Sequence, residues 1–462
     1  MPAAQTDVIT RHDLIEQLSH ARQRTDDLFA IVKPDSLYER PIAERHRIVF
    51  YIGHLEAFDW NLFHRRVLGL KSFHPEFDRL FAFGIDPVGG GLPADRPSDW
   101  PSIAAVRDYV ERVRNVLDEK LADALADSVP PSYDGFPLST LLNVAIEHRL
   151  MHAETLAYML HQLPFDKKIP QREPLNLDAS PVLHRSIEIP AGTTTLGLSR
   201  TSGLFGWDNE FEAHTIDVPA FAIDQYKVTN GQYLDFIAAG GYETSGFWSN
   251  GENDKADWNW KLQQGISHPA FWKRNGDQWM YRTMFADVPL PLDWPVYVSH
   301  AEAKAFARWA GKSLPTEAEW QRAAYATRRG EEQAYPWGES APNSQLGNFD
   351  FASWNPVPVN AFPAGQSALG VRGMVGNGWE WTTTEFTPFP GFEPFPFYRG
   401  YSADFFDGKH FVMKGGSART AACMLRRTFR NWFQSHYQYA YTGFRCVSRP
   451  SSTVRSSSQA DK

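Results

Sequence analysis

The sequence predicts a multidomain protein, with an all-α four-helix bundle at the N-terminus and an α+β domain rich in irregular loops at the C-terminus. Three observations favour this fold class. Apolar residues recur at helical spacing in four segments of the first 165 residues. A polar, proline-rich stretch follows, and beyond it short segments alternate apolar and polar residues as strands do. The chain, at 462 residues, is also too long for one ordinary core.

The helical pattern sets the elements of the first domain, predicted to span residues 1–165. The predicted helices are residues 13–32, 45–70, 103–125 and 138–162. The dipeptide Lys33-Pro34 ends the first of them, because proline cannot continue a helix. An irregular stretch rich in glycine and proline, 83–102, separates the second from the third. Four such helices form a bundle, where metal sites are commonly built from side chains on facing helices.

The composition and the hydrophobic pattern of the chain change after the bundle. Residues 166–184 are polar and proline-rich and are predicted to be a linker. In the second domain, predicted over 185–450, IEIPAGTTTLGLSR and FEAHTIDVPAFAIDQYKVT alternate like short strands. SHAEAKAFARWAG and TEAEWQRAAYATR are predicted helices. The tail, 451–462, is polar and expected to be disordered.

Composition excludes several classes of function. The net charge is −8 and no Lys/Arg cluster occurs, which argues against a nucleic-acid partner. No apolar run approaches the roughly 18 residues that span a membrane, and the N-terminus lacks the order of a secretory signal. Cys423 and Cys446 cannot form a disulfide framework, and both are expected to be buried. We therefore expect a cytoplasmic protein.

The fourth predicted helix carries His148 and His152, four residues apart. Side chains at this spacing lie about 5–6 Å apart at Cβ, so both imidazoles can reach one ion. Arg149 follows the first histidine, so the glutamate of an HExxH metalloprotease motif is missing. His54, among apolar residues of the second helix, is the best third ligand. The residues alone leave two readings open, a metal site for Fe, Zn, Cu or Ni, or histidines packed in the core or on the surface.

Four motifs in the second half resemble one fold in their order and spacing. They are residues 294–324 (WPVYVSHAEAKAFARWAGKSLPTEAEWQRAA), 370–386 (GVRGMVGNGWEWTTTEF), 414–420 (KGGSART) and 442–446 (TGFRC). This set resembles the formylglycine-generating-enzyme/sulfatase-modifying-factor fold, which is C-type-lectin-like. The first 165 residues resemble a DinB-like four-helix domain. The combination is similar to the hercynine oxygenases, sulfoxide synthases of the ergothioneine pathway.

The resemblance implies a metal and argues against a related activity. The three iron-binding histidines of the family fall on His54, His148 and His152, which implies Fe(II) as the cofactor. True formylglycine-generating enzymes of the same fold bind copper through two cysteines shortly after a GGS motif. In this chain the corresponding stretch, GGSARTAACMLRRTFRN, contains only Cys423. The resemblance therefore implies an iron enzyme that uses O2.

The family binds hercynine, the trimethylated betaine of histidine, beside the iron. Two of the positions that it uses match Asn431 and Trp432 in the RNW motif of this chain. An amide can hydrogen-bond a carboxylate or imidazole, and an aromatic face attracts a quaternary ammonium. The position before the second helical histidine is often Gln in the family, where it touches hercynine, and here it is Met151.

The residues that would bind the second substrate differ from those of the resembling family. Members that use γ-glutamylcysteine carry Asp directly after RNW and Arg four residues further, where this chain has Phe433 and Tyr437. Losing both charged groups implies a smaller or less charged donor. Free cysteine and a selenosugar, the donor of the selenoneine synthase branch, both fit. We favour the selenosugar, because aromatic faces suit a sugar ring.

Family members also place a tyrosine near the iron as a proton or hydrogen donor. In the loop at 390–406, Tyr398 is the first candidate and Tyr401 the second. In cysteine-using branches this tyrosine can come from the helical domain, in the region occupied here by residues 77–87. That region has Phe81 and Phe83 but no tyrosine, which disfavours that branch.

Two other functions remain open at this point. DinB-like domains also resemble metal-dependent thiol transferases, in which Zn or Ni activates a thiolate and the second domain would cover the substrate. Sulfatase-modifying-factor-like folds can also be non-catalytic ligand-binding modules with structural histidines. Dependence on Fe(II) and O2 separates the oxygenase from the transferase, and absence of bound metal would favour the module. The oligomeric state is left open.

Overall fold

The computed structural model describes residues 11–82, 92–126, 131–172, 175, 177, 182–249 and 255–449. Phe83, part of the predicted linker and the tail at 451–462 lie outside these residues. In the N-terminal part the elements are α1 (Arg11–Ala30), α2 (Ile48–Phe63), α3 (Pro75–Leu80), α4 (Ile103–Ala126), β1 (Ser132–Tyr133), β2 (Phe136–Pro137) and α5 (Leu138–Gln162). The two short strands form a hairpin.

The predicted bundle is present, with α1 packed on α5 and α2 on α4. The predicted bounds of the first, third and fourth helices are right to within two residues. The predicted second helix, 45–70, is too long, because Arg47 is extended at its start and a turn ends at Gly69, whose φ is +64°. The short α3 was not predicted.

The C-terminal part contains short elements joined by long loops. Its helices are α6 (Asn230–Ala238), α7 (Ala256–Gln263), α8 (His300–Trp309) and α9 (Glu317–Tyr325). Its strands are β3 (Ser186–Ile189), β4 (Gly192–Leu196), β5 (His214–Val218), β6 (Phe221–Asp224), β7 (Trp272–Asn275), β8 (Gln278–Arg282), β9 (Asp287–Pro289), β10 (Trp379–Glu385), β11 (His410–Lys414), β12 (Asn431–Gln434), β13 (Thr442–Gly443) and β14 (Val447–Ser448).

The strands form small sheets in the orders β14-β6-β3, β4-β5, β7-β8-β9 and β12-β11-β10-β13. In the last sheet β13 is parallel to β10, and β12 is an edge strand, antiparallel to β11. The two predicted helices are α8 and α9. Each begins with a capping box, from Ser299 to Glu302 and from Thr316 to Glu319.

Two motifs of the second half stabilise its core. Glu380, in NGWEW, and Arg445, in TGFRC, form a fully buried ion pair of 2.6 Å between Nε and Oε2. Cys446 is buried as expected, but Cys423 is exposed, so the expectation for Cys423 is wrong. None of the described helices is long and apolar enough to cross a bilayer.

One stripe of α5 joins the two halves of the molecule. We call it the docking seam, and it consists of Glu147, Met151, Glu154, Tyr158 and His161. Positions separated alternately by four and three residues lie on one helical face. Each residue of the seam contacts the C-terminal part, through hydrogen bonds or through aromatic ring contacts. The face next to it carries His148 and His152.

Candidate metal centre and substrate cleft

The structure brings the three predicted histidines together between α2 and α5. His54 Nε2 lies 3.2 Å from His152 Nε2, which lies 3.2 Å from His148 Nε2. All three ligand atoms are within 4.8 Å of one another, and the three side chains are buried. Burial lowers the pKa of His54 to about 4 and lowers the pKa values of His148 and His152 well below the ordinary value. At neutral pH all three imidazoles are uncharged and able to bind a metal.

A close contact between α2 and the residue after α3 orients His54. The ring of Phe81 lies against Gly53, where a Cβ atom would approach it to 2.6 Å. A glycine in a helix lowers stability by about 0.5–1 kcal/mol relative to alanine. Here Gly53 lets the chain after α3 approach α2 closely. As a result the carbonyl oxygen of Phe81 accepts a hydrogen bond from His54 Nδ1 at 2.7 Å. This bond leaves Nε2 of His54 as the ligand atom.

Aromatic rings hold two of the imidazoles in place. The ring of His148 stacks on Phe58 with centroids 3.5 Å apart, and that of His54 stacks on Phe50 at 4.9 Å. Within the described part of the chain, Nδ1 of His148 and Nδ1 of His152 have no hydrogen-bond partner. Packing on Phe58 therefore fixes the orientation of His148. The orientation of His54 is fixed both by packing on Phe50 and by its hydrogen bond to the backbone.

The donor set fits a divalent transition metal. Two nitrogen ligands about 2.1 Å from one ion, at a right angle to each other, are about 3 Å apart, close to the two short separations in this site. No Asp, Glu or Cys of the described residues joins the three-histidine group. Three imidazoles on one side leave further coordination positions for substrates, which is the arrangement of catalytic sites rather than closed structural ones.

A buried charge network ties the two helices that carry the three histidines to each other. Arg149, next to His148, bonds to Glu56 Oε1 at 2.9 Å and to Asp59 Oδ2 at 2.7 Å, both on α2. All three side chains are at most 1% exposed. Burial raises the pKa of Glu56, but the surrounding arginines outweigh burial and hold it below its ordinary range. The network fixes α2 against α5 beside the histidines, because any sliding would leave buried charges unpaired.

The two candidate tyrosines lie at different distances from the histidines. The ring of Tyr398 is 6.0 Å from that of His148 and 5.2 Å from that of Phe58. Tyr401 lies beyond it, stacked on Trp207 at 4.0 Å, and its hydroxyl donates to Met151 Sδ at 3.3 Å. Burial raises the pKa of Tyr401 well above its ordinary value, so this phenol stays neutral. The structure thus places Tyr398 nearer to the candidate metal ligands.

Met151 lies on α5, whereas the other candidate substrate residues lie on or just after the edge strand β12 and separate into two groups. Trp432 stacks on Phe386 with centroids 4.1 Å apart and contacts Tyr401 edge-on at 5.4 Å. Asn431 Oδ1 accepts the backbone N–H of Trp432 at 2.8 Å. Because neighbouring strand residues point to opposite faces, Phe433 belongs to a different group from Trp432.

The second group contains a cation that sequence reasoning missed. Phe433 and Tyr437 are stacked 4.7 Å apart, and Tyr158 of the docking seam meets both rings edge-on. Arg45, from the segment before α2, donates from Nε to Tyr437 Oη at 3.1 Å. The sequence offers no signal for this contact, because it joins residues 392 positions apart.

Comparison with known proteins agrees with the two-part architecture. The model of the sulfatase-modifying factor enzyme 1-like domain matches residues 175–450, and that of the DinB superfamily matches 17–156. A formylglycine-generating enzyme of Mycobacterium tuberculosis is 30% identical over 318 residues, which are 58% of the chain and 99% of that protein.

Two relatives resemble both halves. The hercynine oxygenase of Mycobacterium tuberculosis is 36% identical over 362 residues, covering 74% of the chain and 77% of that protein. The hercynine oxygenase of Mycolicibacterium smegmatis is 33% identical over 457 residues, covering 95% of the chain and 99% of that protein. The chain therefore belongs to the hercynine oxygenase family.

Proposed function

We propose that the protein is an Fe(II)- and O2-dependent enzyme that forms a carbon–sulfur or carbon–selenium bond on the imidazole of hercynine. The observation that carries this proposal is the convergence of three buried, neutral imidazoles, His54, His148 and His152, at the boundary between the two domains. Membership of the hercynine oxygenase family supplies the substrate and the class of reaction.

In this proposal the three histidines hold Fe(II) on one side and leave positions open for substrates. Histidine ligands with open positions suit non-heme iron that reacts with O2. When bound, the iron supplies the redox chemistry that couples reduction of O2 to formation of the carbon–chalcogen bond. The buried network of Arg149, Glu56 and Asp59 keeps the two ligand helices in register.

We assign hercynine to the side of β12 that carries Trp432. Its neighbours Phe386 and Tyr401 add aromatic surface there. Aromatic faces attract a trimethylammonium group, which cannot donate hydrogen bonds. Met151 lies at the same place, in contact with Tyr401, so the substrate would lie against the docking seam. The family resemblance also implies a contact between Asn431 and hercynine, although Asn431 precedes Trp432 on β12 and its side chain alternates to the face of Phe433.

Tyr398 is the proposed proton donor to reduced oxygen. It is the candidate tyrosine whose ring contacts a ligand histidine, His148. A neutral phenol held next to the reacting atoms can deliver a proton without a diffusing water molecule. Tyr401, whose hydroxyl is bound to Met151, is proposed to position the hercynine side of the cleft instead.

The chalcogen donor is assigned to the other side of β12, at Phe433 and Tyr437. The two stacked rings offer no carboxylate for an ammonium group, and they offer flat surface for a sugar ring. We therefore favour a selenosugar as the donor over free cysteine, and both over γ-glutamylcysteine.

A competition assay tests this function. Protein loaded anaerobically with Fe(II) receives hercynine with equimolar selenosugar, cysteine and γ-glutamylcysteine, air is admitted, and products are identified by mass spectrometry. We expect a selenium adduct of hercynine as the main product. A cysteine adduct as the main product would support the proposed reaction and identify cysteine as the donor. No adduct from any donor by protein with stoichiometric iron would refute the proposed reaction.

A further inference from the structure

Two successive turns place Tyr398 in the middle of a short loop. We call residues 395–402 the tyrosine loop. The backbone N–H of Tyr398 donates to the carbonyl oxygen of Phe395 at 3.1 Å, and that of Tyr401 donates to the carbonyl oxygen of Tyr398 at 3.2 Å. Because both turns meet at Tyr398, the position of its ring depends on what holds the two ends of the loop, at Phe395 and Ser402.

Both ends of the tyrosine loop bond to one carboxylate, that of Asp208. The hydroxyl of Ser402 donates to Asp208 Oδ1, and the backbone N–H of Phe395 also hydrogen-bonds this carboxylate. Asn209 donates from Nδ2 to Ser402 Oγ at 2.9 Å. The side chains of Asp208, Asn209 and Ser402 are fully buried. Displacement of either end of the loop would therefore leave a buried polar group without its partner, which is unfavourable.

The residue before Asp208 connects the same segment to α5. The indole ring of Trp207 stacks on Tyr401 with centroids 4.0 Å apart, and its Nε1 donates to Glu147 Oε2 at 2.7 Å. Glu147 immediately precedes His148 on α5. Trp207 and Asp208 therefore contact the tyrosine loop on one side and, on the other, the helix that carries two of the candidate metal ligands.

The segment that contains Trp207 and Asp208 is itself held rigidly. Glu210 is fully buried, and its Oε1 accepts the backbone N–H of Trp207 at 2.8 Å. Arg426 donates to Glu210 Oε2 at 2.9 Å and to Glu147 Oε1 at 2.6 Å, so one guanidinium joins this segment to α5. A side chain supported in this way can hold another group in a fixed position.

We propose that Asp208 is a positioning residue whose carboxylate holds both ends of the tyrosine loop, so that Tyr398 lies against His148. Asp208 acts on the reaction through Tyr398 and does not itself touch the substrates. The inference rests on the proposed function, in which Tyr398 is the proton donor, and it names the group that sets the position of this donor. A displacement of about 1 Å at a reacting group can slow a reaction about 100-fold, so the support of the loop matters for the rate.

Cleavage of the full chain by trypsin after Arg399, under anaerobic conditions, tests the holding of the loop without turnover. Arg399 lies within the tyrosine loop and is exposed. Asp208→Ala removes the carboxylate, Asp208→Asn keeps one of its oxygens, and Ser402→Ala removes the donating hydroxyl. Glu302→Gln is the matched control, because Glu302 on α8 is also fully buried and also accepts a serine hydroxyl, that of Ser299 at 2.7 Å.

We expect cleavage after Arg399, followed by mass spectrometry of the fragments, to be about tenfold faster in Asp208→Ala than in the wild type. Loss of buried hydrogen bonds raises the population of the open loop, and cleavage follows that population. Asp208→Asn and Ser402→Ala should show smaller increases, and Glu302→Gln should cleave at this site as the wild type does. Equal cleavage of Asp208→Ala and the wild type would overturn the inference.

A double-mutant cycle tests whether Asp208 acts through Tyr398. In a single turnover we expect Asp208→Ala to slow adduct formation about tenfold when Tyr398 is present, and by less than about twofold in the Tyr398→Phe background. The reason is that a misplaced ring matters only while it carries the hydroxyl that reacts. Asp208→Asn should restore part of the rate. Equal slowing in the two backgrounds would show that Asp208 does not act through Tyr398 and would overturn the inference.

Failure of the proposed function gives different results. If Tyr398→Phe reacts as fast as the wild type, Tyr398 is not the proton donor, and the role of Asp208 in the reaction fails with it. If no donor gives an adduct, the proposed reaction fails, whereas cleavage after Arg399 still decides whether Asp208 holds the loop. Should Asp208→Ala fold poorly, Ser402→Ala is used in both measurements, with the same direction of change expected.

Discussion

The carboxylate of Glu154, in the middle of α5, accepts a hydrogen bond from the indole Nε1 of Trp379 at 2.8 Å. The same carboxylate accepts bonds from the hydroxyls of Ser417 and Thr420, so residues of the GNGWEW and GGSART motifs meet on one buried side chain. Glu154 is two residues from His152 on the helix. The contact that docks the domains is therefore part of the structure that carries the candidate metal ligands.

Replacement of Glu154 by Gln should loosen the docking of the two domains. The amide keeps the size but replaces one carboxylate oxygen by an NH2 group, so at least one of the three donors loses its acceptor, which costs about 1–3 kcal/mol for a buried group. We expect a lower melting temperature and faster cleavage by thermolysin. Glu119→Gln is the control, since Glu119 is 68% exposed on α4. Equal melting temperatures for both variants would show that the Glu154 contacts do not stabilise the protein.

Removal of one ligand histidine should abolish stoichiometric metal binding. Changes outside the ligand shell already weaken metal sites about 10- to 100-fold, so loss of a ligand should cost more. We expect His148→Ala and His152→Ala to purify with little iron after reconstitution, measured by elemental analysis. His64→Ala is the control variant, because His64 stacks on Trp60 near the end of α2 and is outside the three-histidine group. Retention of iron by His148→Ala would exclude it as a ligand.

Tyr398→Phe and Tyr401→Phe should differ in rate. A positioned general acid contributes about 100-fold or more, so Tyr398→Phe should slow adduct formation in a single turnover by about that factor. Its affinity for hercynine, measured without O2, should stay within about twofold. Tyr401→Phe loses only the bond to Met151 and should change the rate much less. The opposite order of rates would make Tyr401 the proton donor.

Asp257 on α7 should make stability depend on pH in acid. Burial raises its pKa, but a hydrogen bond from His436 at 2.9 Å and an ion pair with Lys304 at 2.7 Å outweigh burial and lower the pKa to about 2. Because the folded pKa lies below the unfolded one, the stabilisation is present above pH 4 and is lost as the pH falls toward 2.

The measurement is the melting temperature of the wild type and Asp257→Asn between pH 7 and pH 3. At pH 7 we expect the free energy of unfolding of the wild type to exceed that of Asp257→Asn by about 2 kcal/mol. Roughly half of this difference should be lost by pH 3. Asp277→Asn, which changes an exposed residue of the β7–β8 turn, should show no such trend. A difference that is constant across this range would contradict the assigned pKa.

Local patterns made part of this structure predictable. The fourth helix was predicted with the bounds that α5 has, because apolar residues recur along it at helical spacing. The pair His148 and His152 follows from the four-residue spacing on that helix. The second helix was predicted too long, because apolar residues continue to Leu70 although Gly69 turns the chain.

Contacts between distant segments could not be predicted in the same way. The sequence does not show that Phe81 orients His54 through its carbonyl oxygen, since a backbone group carries no residue signature. Nor does it show that Arg45 meets Tyr437. The cation beside Phe433 and Tyr437 comes from the helical domain, far from the RNW motif in the sequence.

The docking seam has a consequence for attempts to recombine such proteins. Because one helix carries the seam on one face and His148 and His152 on the next, the two domains cannot be exchanged as independent building blocks. A helical half grafted onto another C-terminal half would meet the wrong partners at Glu147, Glu154 and His161. Successful chimeras would have to transfer α5 together with the residues that receive it, and the crossover point would belong inside the domains and not in the linker between them.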